Sequence, residues 1–297
     1  MEYLVPGIMA ALAVIMAAVS LKWILFIRNF MVSARHLPVL RAGRGSAGAV
    51  YPKVSVILPA RDEEDYIGPC LRTLVSQDYP DFEIIVIDDN SSDATYDIVR
   101  SFTSEVGPEI KVVRMVGHDS VWVGKTLACA RGREAATGDL LLFTDADTEH
   151  EPGTMRLAVE HMMYEEADVL TLTTGLRMPE FWTRVTTPVI TSFRLAYPDG
   201  IVNFSAKNVN DDSRDGSALI GAYFLVKSKA YDAVGGHGSV KNMILEDWML
   251  GKRLKMAGHA VRIADGSRMV DAVWARDLPT LDRVFTRLMS PLVLNKK

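Results

Sequence analysis

The chain has 297 residues, 48% hydrophobic and 24% charged, with a formal net charge of −4. These are globular proportions, and they exclude wholesale disorder and the strongly basic footprint of a nucleic-acid binder. Cys70 and Cys129 stand far apart, which excludes a disulfide scaffold and a cysteine zinc site, and no repeat of roughly 20–50 residues suggests a solenoid or propeller.

The first element is apolar. No charge falls between Leu4 and Leu21, and after Lys22 the run Trp23-Ile-Leu-Phe-Ile27 continues to Arg28. A helix of about 18 residues rises roughly 27 Å, close to the hydrocarbon thickness of a bilayer. A secretory signal would begin with basic residues and end at small ones, but Glu2 precedes this run and bulky side chains end it. Residues 1–32 are therefore expected to form a transmembrane anchor rather than a buried core helix. Lys22, Arg28, Arg35, Arg41 and Arg44 all follow the span. The positive-inside rule then puts the N-terminus outside and the rest of the chain in the cytoplasm. Residues 33–52 read as a basic linker punctuated by Gly and Pro, either resting on anionic headgroups or solvated.

From Lys53 short apolar runs alternate with amphipathic stretches. Strands are expected at Val54–Leu58, Glu83–Ile87, Ile110–Val113, Asp139–Phe143 and Asp168–Leu172. Between the first two, Ile67, Leu71, Leu74 and Val75 share one helical face. Further helices are expected at Asp93–Phe102, Lys125–Ala135 and Pro152–Tyr164. Strands apolar on both faces and alternating with helices call for an α/β domain whose sheet is mostly parallel and covered on both sides. The stretch from Gly175 to Asp215 breaks the rhythm with Pro, Arg, Asn and aromatics, among them Phe181 and Trp182. Alternation resumes with Ala218–Val226, a Gly235-Gly236 turn and a helix from Glu246 to about Met256. Residues 53–275 read as one elaborated domain, and 276–297 as a basic amphipathic C-terminal segment.

In an open parallel sheet, ligands bind beyond the carboxyl ends of the strands. The first strand runs into Pro59-Ala-Arg61-Asp62-Glu63, the second into Asp88-Asp89, and the fourth into Asp145-Ala-Asp147. Crowding these carboxylates at one edge is repulsive unless a cation or a donor-rich ligand sits among them. Oxygen-only ligands suit Mg²⁺ or Mn²⁺ bridging to substrate phosphates. Lys125, near a helix start, is positioned for phosphate or another acidic group. Position 119 is Asp rather than the first Gly of a P-loop, and no G-x-G-x-x-G follows the first strand. This disfavours P-loop ATPases and dinucleotide dehydrogenases. Taken singly, Asp88-Asp89 would equally serve as a helix cap, and Glu246-Asp247 as charge complementing a helix N-terminus.

Together these segments resemble the family 2 inverting glycosyltransferases, which have the GT-A fold. The likeness spans Lys53 to Val270. It rests on the opening Val54–Glu64 segment, Val86-Ile-Asp-Asp-Asn-Ser-Ser-Asp93, Gly124-Lys125, Thr144-Asp-Ala-Asp147, Gly235-Gly-His237 and Ile244-Leu-Glu-Asp247. The last two, followed by Lys255-Met-Ala-Gly258, are similar to the membrane-bound branch acting on lipids such as carotenoids, hopanoids or ceramide. The resemblance implies a nucleotide-sugar donor, a UDP-sugar ahead of others, and a lipid-like hydroxyl acceptor. It implies that Pro59, Arg61, Asp62, Glu63, Asp88, Asp89, Lys125 and Asp145 contact the donor. It also implies that Asp147, beside Asp145, holds a divalent cation, Mn²⁺ or Mg²⁺. Asp247 would be the general base with Glu246 orienting it, and Gly221, His237 and Trp182 would lie on the acceptor side.

Two departures narrow the reading. No Gln-x-x-Arg-Trp segment follows Asp247, which argues against processive polymer synthesis and for single-sugar transfer; Arg283 and Arg287 remain as sources of positive charge there. Leu288 to Leu294 is too short for a second span. His118, His150 and His161 lack ligand-like spacing and are expected at the surface, and Met155, Met162 and Met163 in helix packing. Two rival readings are a catalytically silent nucleotide-sugar-binding module partnering another membrane enzyme, and a nucleotidyltransferase.

Overall fold

A computed structural model of the chain describes residues 4–35, 37–41, 51–103, 107–115, 122, 125–187, 206–212, 219–243, 245–273, 275–284 and 286. The N-terminal run is a single helix, α1 (Leu4–Arg35). Its stretch Pro6–Leu25 is wholly unburied and, by length and composition, long and apolar enough to cross a membrane.

The chain then continues as β1 (Val54–Ala60), α2 (Ile67–Val75), β2 (Phe82–Asp88), α3 (Thr95–Phe102), β3 (Glu109–Arg114), α4 (Thr126–Ala135), β4 (Leu140–Thr144), β5 (Thr148–His150) and α5 (Thr154–Tyr164). After these come β6 (Val169–Thr173), β7 (Gly175–Arg177), α6 (181–187), α7 (Ala206–Val209), β8 (Tyr223–Lys227), α8 (Ser228–Ala233), a 3₁₀ turn (Gly236–Val240), α9 (Glu246–Met256), β9 (Val261–Asp265) and β10 (Val270–Val273). Seven strands form the main sheet in the order β3-β2-β1-β4-β8-β6-β9. Along β1, Val54, Val56 and Leu58 face one core with Leu71 and Leu74 of α2, while Ile57 faces the other with Leu141, Phe143 and Leu250. Both faces are buried, which is why these strands read as continuous apolar runs rather than alternating ones.

The five expected strands and the helices after residue 53 appear within two residues of their expected bounds, and the N-terminal helix, expected over 1–32, runs three residues later at each end. The exception to parallel order is β8, which runs antiparallel to both β4 and β6. β8 thus enters the sheet from the end at which its two neighbours leave it, as an antiparallel strand must. The sequence reading also missed a small second sheet, β5-β10-β7, in which β10 pairs antiparallel with β5 and parallel with β7.

The expected linker is partly a docked strap. Val39 bridges Asp265 in parallel, the Asp265 amide donates to Pro38 O at 2.8 Å, and Leu40 is buried. Arg41 N donates to His161 Nδ1 at 3.1 Å. His161 is thus buried, not at the surface, and so is His150, because their strand and helix face inward. Met155 and Met162 pack inside as expected, but Met163 is exposed. His118 lies outside the described residues.

At the amino edge of the sheet, Glu83 accepts hydrogen bonds from Ser55 Oγ (2.7 Å), Thr137 N (2.8 Å) and Thr137 Oγ1 (2.6 Å), and it pairs with Lys111 Nζ at 2.6 Å. Burial alone would raise this carboxyl; the Lys111 ammonium, the two hydroxyls and the amide outweigh it and bring it down to about 2. A lowered carboxyl contributes stability that is present above its unfolded pKa and is lost as pH falls through the folded one. Chemical denaturation of the wild type and Glu83→Gln in detergent should therefore show a stability gap that shrinks by about 3 kcal/mol between pH 6 and pH 2. A pH-independent gap would contradict this account of Glu83.

Candidate active site

The strand order reverses between β1 and β4: β2 and β3 lie to one side of β1, and β4 to the other. The connecting segments diverge at that point and leave a crevice beyond the strand ends. A cleft of about 280 Å³ opens there. Pro59, Arg61 and Glu63 reach it from the end of β1, Asp89 from β2, Asp145 and Asp147 from β4, and Lys125 from the start of α4.

The loops after β1 and β2 hold each other. Asp89 N donates to Ala60 O at 2.9 Å, Asp62 N to Ser91 Oγ at 3.1 Å, and Glu63 N to Thr95 Oγ1 at 2.7 Å. Asp62 adopts a left-handed backbone, φ 52°, and its carboxylate accepts from Ser92 N (2.8 Å) and Ser92 Oγ (3.0 Å). It therefore closes the loop pair and does not line the cleft; Glu63 does. Asp88 is fully buried, receiving Ser91 N at 3.3 Å with Arg114 Nε 3.3 Å from its other oxygen. It supports the loop from below, while Asp89 faces the cleft with Arg61 Nη1 at 3.6 Å.

Two further cations offset the carboxylates. Lys125 is paired with Asp145. Burial would lower its ammonium, but the Asp145 and Asp247 carboxylates prevail and raise it. Arg276 pairs with Glu63 and lies over the Tyr66 ring at 4.4 Å. Burial still raises the Glu63 carboxyl despite Arg276. Among the described residues no basic side chain pairs with Asp147. Burial, then the neighbouring Asp145 and Glu63 carboxylates, push it up to about 7. A buried carboxylate in that position is stabilised by an added cation. Among the described residues no three His, Cys, Asp or Glu side chains form a ready-made cage. A Mg²⁺ or Mn²⁺ held mainly by phosphates and water needs only one or two carboxylates, so the donor set fits such an ion.

On the other side of Lys125 stands the start of α9. Glu246 and Asp247 occupy its first turn, where unpaired backbone N–H groups favour negative charge. Glu246 is buried and Asp247 half-buried. A Cβ placed on Gly221 would overlap Asp247 Oδ2 and approach Lys125 Nζ to 2.9 Å, so only glycine lets these groups meet. The structure thus brings Asp247, Gly221, Lys125 and Asp145 into one neighbourhood.

Other candidates lie elsewhere. His237 follows the left-handed Gly235-Gly236 pair and is buried in an aromatic nest, its ring 5.0 Å from Phe143. Its Nδ1 lies 2.7 Å from Tyr231 OH, and its backbone N donates to that same oxygen at 3.0 Å. Burial takes its imidazole down to about 3. It borders a separate cleft beside Arg133 and Asp232 rather than the acidic one, because its ring is turned inward onto Phe143. Trp182 on α6 is 58% exposed, edge-on to Phe181 at 5.3 Å, and does not line the acidic cleft. Sequence reasoning missed Arg276. It looked instead to Arg283, which donates to Thr280 Oγ1 at 3.1 Å and does not line the cleft, and to Arg287, which lies with Gly124 and Trp274 outside the described residues. The available signal was an Arg three residues past the end of a short strand, Val270–Val273.

Residues 55–231 match the model of the Glycosyl transferase family 2. A 4,4'-diaponeurosporenoate glycosyltransferase of Staphylococcus aureus (strain bovine RF122 / ET3-1) is 28% identical over 218 residues, covering 73% of this chain and 55% of that protein. The protein of the same name from Staphylococcus haemolyticus (strain JCSC1435) is 29% identical over 240 residues, 75% of this chain and 57% of that protein. The chain spans little more than half the length of these relatives. Among solved structures, a mannosyltransferase from Pyrobaculum calidifontis in complex with GDP-Man and Mn²⁺ superposes with a TM-score of 0.66 at 18% identity, covering 96% of this chain and 76% of that one. S. aureus TarS 1-349 in complex with UDP-GlcNAc gives 0.54 at 18% identity, over 82% of this chain and 66% of that one. The fold is GT-A.

Proposed function

Because the chain belongs to glycosyl transferase family 2, we propose that it moves a single sugar, with inversion, from a nucleotide-sugar donor to a hydroxyl of a lipid-like acceptor. The observation that carries this reading is the acidic cleft at the switch point, lined by Asp89, Glu63, Asp145, Asp147 and Lys125, with Asp247 meeting Lys125 beside Gly221. Asp89, Arg61 and Glu63 line its far end, which suits the base and ribose of the donor. Lys125 and Asp145 sit between donor and acceptor sides. Asp147, with Asp145 beside it, would hold a Mn²⁺ or Mg²⁺, which when bound offsets negative charge on the departing diphosphate.

Inverting transfer is an in-line displacement. The acceptor oxygen forms the new bond to the anomeric carbon as the bond to the diphosphate breaks on the opposite face. The acceptor proton must leave as it attacks, and the Asp247 carboxylate is the positioned base that takes it. Glu246, buried one residue earlier, fixes the start of α9. The diaponeurosporenoate names of the relatives favour an apolar acceptor. The unburied α1 supports a membrane anchor, with the catalytic domain on the cytoplasmic side by the charge bias after the span. Exposed Phe181 and Trp182 suit an interface where one end of the ring is wet.

The test is nucleoside-diphosphate release by the full chain in detergent, with Mn²⁺, a panel of nucleotide sugars headed by UDP-sugars, and membrane lipid extract. Lipid-stimulated release from one donor, lost in Asp147→Ala, is the expected outcome. Binding of donors without turnover would favour a silent module, and release of inorganic pyrophosphate from a nucleoside triphosphate would favour a nucleotidyltransferase.

A further inference from the structure

Beneath the cleft lies a buried polar network that the chemistry above leaves unused. Thr144 ends β4, Thr148 and His150 lie on β5, and the Asp145-Ala146-Asp147 loop runs between them. All three network residues are buried. Thr148 Oγ1 donates to Asp145 O at 2.8 Å, and Thr144 Oγ1 donates to Ala222 O at 2.8 Å. A hydroxyl carries one proton, so both are committed to carbonyls. The two hydroxyl oxygens stand 3.0 Å apart with neither free to donate to the other. His150 Nε2 lies 2.9 Å from Thr148 Oγ1 and 3.2 Å from Thr144 Oγ1. With both hydroxyls turned to carbonyls, the shared proton is assigned to the imidazole, in its Nε2–H tautomer. The backbone of His150 is pinned in turn, its N–H donating to Thr73 Oγ1 on α2 at 3.1 Å.

We infer that His150 is a positioning residue that couples the two halves of the site. One imidazole N–H orders two hydroxyls. The first clamps the carbonyl of Asp145, at the start of the donor-side loop. The second clamps the carbonyl of Ala222, next to Gly221, against which Asp247 rests. The spacing between the donor carboxylates and the base is thereby set from below by a side chain that touches neither substrate. This rests on the donor and base roles proposed above.

The test uses the full chain in detergent and compares His150→Ala, His150→Gln, Thr148→Val, Thr144→Val and Tyr223→Phe. Three readouts apply: ¹⁵N NMR of the histidine rings, UDP binding by calorimetry, and kcat against donor KM. The expected ring signature is Nε2–H. Thr148→Val should weaken UDP binding and raise donor KM about tenfold with kcat little changed, whereas Thr144→Val should lower kcat about tenfold with UDP binding little changed. His150→Ala should do both, and His150→Gln, which keeps an N–H donor, should recover much of each. Tyr223→Phe removes a buried hydroxyl that has no hydrogen-bond partner among the described residues and should change neither. An Nδ1–H ring, or two threonine variants with the same kinetic signature, would overturn the coupling. An unmodified protein that neither binds UDP nor turns over any donor would sink the parent reading, and the coupling with it.

Discussion

Asp247→Asn should lower kcat by about 10²–10⁴-fold and leave UDP affinity nearly unchanged. Asparagine keeps the shape and a hydrogen-bonding oxygen but cannot accept the acceptor proton in the transition state. The contact with Gly221 tolerates this swap because nothing is added there. The substitution does remove a charge from beside Lys125, but the Lys125–Asp145 pair remains to order the cleft. The measurement is single-turnover transfer alongside calorimetric UDP binding, with a loss confined to the chemical step as the signature. A loss of only a few fold would remove Asp247 from the role of general base.

Lys125→Met should abolish turnover and also weaken the fold. The ammonium is paired with Asp145 and raised by Asp145, Asp247 and Glu246, so its removal leaves several carboxylates facing one another. Breaking a fully buried pair costs roughly 3–5 kcal/mol; 27% of the Lys125 side chain and 34% of the Asp145 side chain are exposed, so about 2 kcal/mol is expected here. Methionine keeps the unbranched apolar stem to within one atom of its length, so the loss reflects the missing charge more than packing. The sign of the pH dependence follows from the raised ammonium. Its contribution is complete below the ordinary lysine pKa of about 10.4 and is lost only as pH rises through the higher folded value. Between pH 5 and 8 the wild type therefore keeps the full benefit, while lowering pH relieves the variant by protonating Asp147, already pushed up to about 7 and no longer held down by Lys125. Denaturation at pH 8 and pH 5 should show the gap narrowing on acidification. A variant with wild-type turnover would remove Lys125 from the site altogether.

The parts of this protein that were legible in its sequence are those with local causes. Apolar runs such as Val54–Leu58 and Glu83–Ile87 announce strands buried on both faces, and the spacing of Ile67, Leu71 and Leu74 announces the helix between them. The uncharged stretch from Leu4 to Leu21 declares its own length and polarity. The rule that ligands sit beyond parallel strand ends then places Glu63, Asp89, Asp145 and Asp147 at one edge.

Features set by distant partners were not legible. β5, β7 and β10 are three or four residues long, too short for any periodicity, and they exist because each completes another's hydrogen bonds. The direction of β8 depends on which edge of the sheet the chain happens to enter from. Arg276 finds Glu63 across more than two hundred residues, and residues 37–41, which read as tether, dock because the edge of β9 was open to them. His150 and His161 looked like surface histidines because burial belongs to the packed fold and not to the residue. The sequence alone determined the family, the strand core and the carboxylates of the cleft, since local pattern and strand direction suffice for those. Only the tertiary structure decided which carboxylates are free to act: Asp62 is consumed by a neighbouring loop, Asp88 is buried on Arg114, and Asp147 is left without a cation partner among the described residues. A carboxylate's availability is set by whatever the rest of the chain places within hydrogen-bonding reach of it.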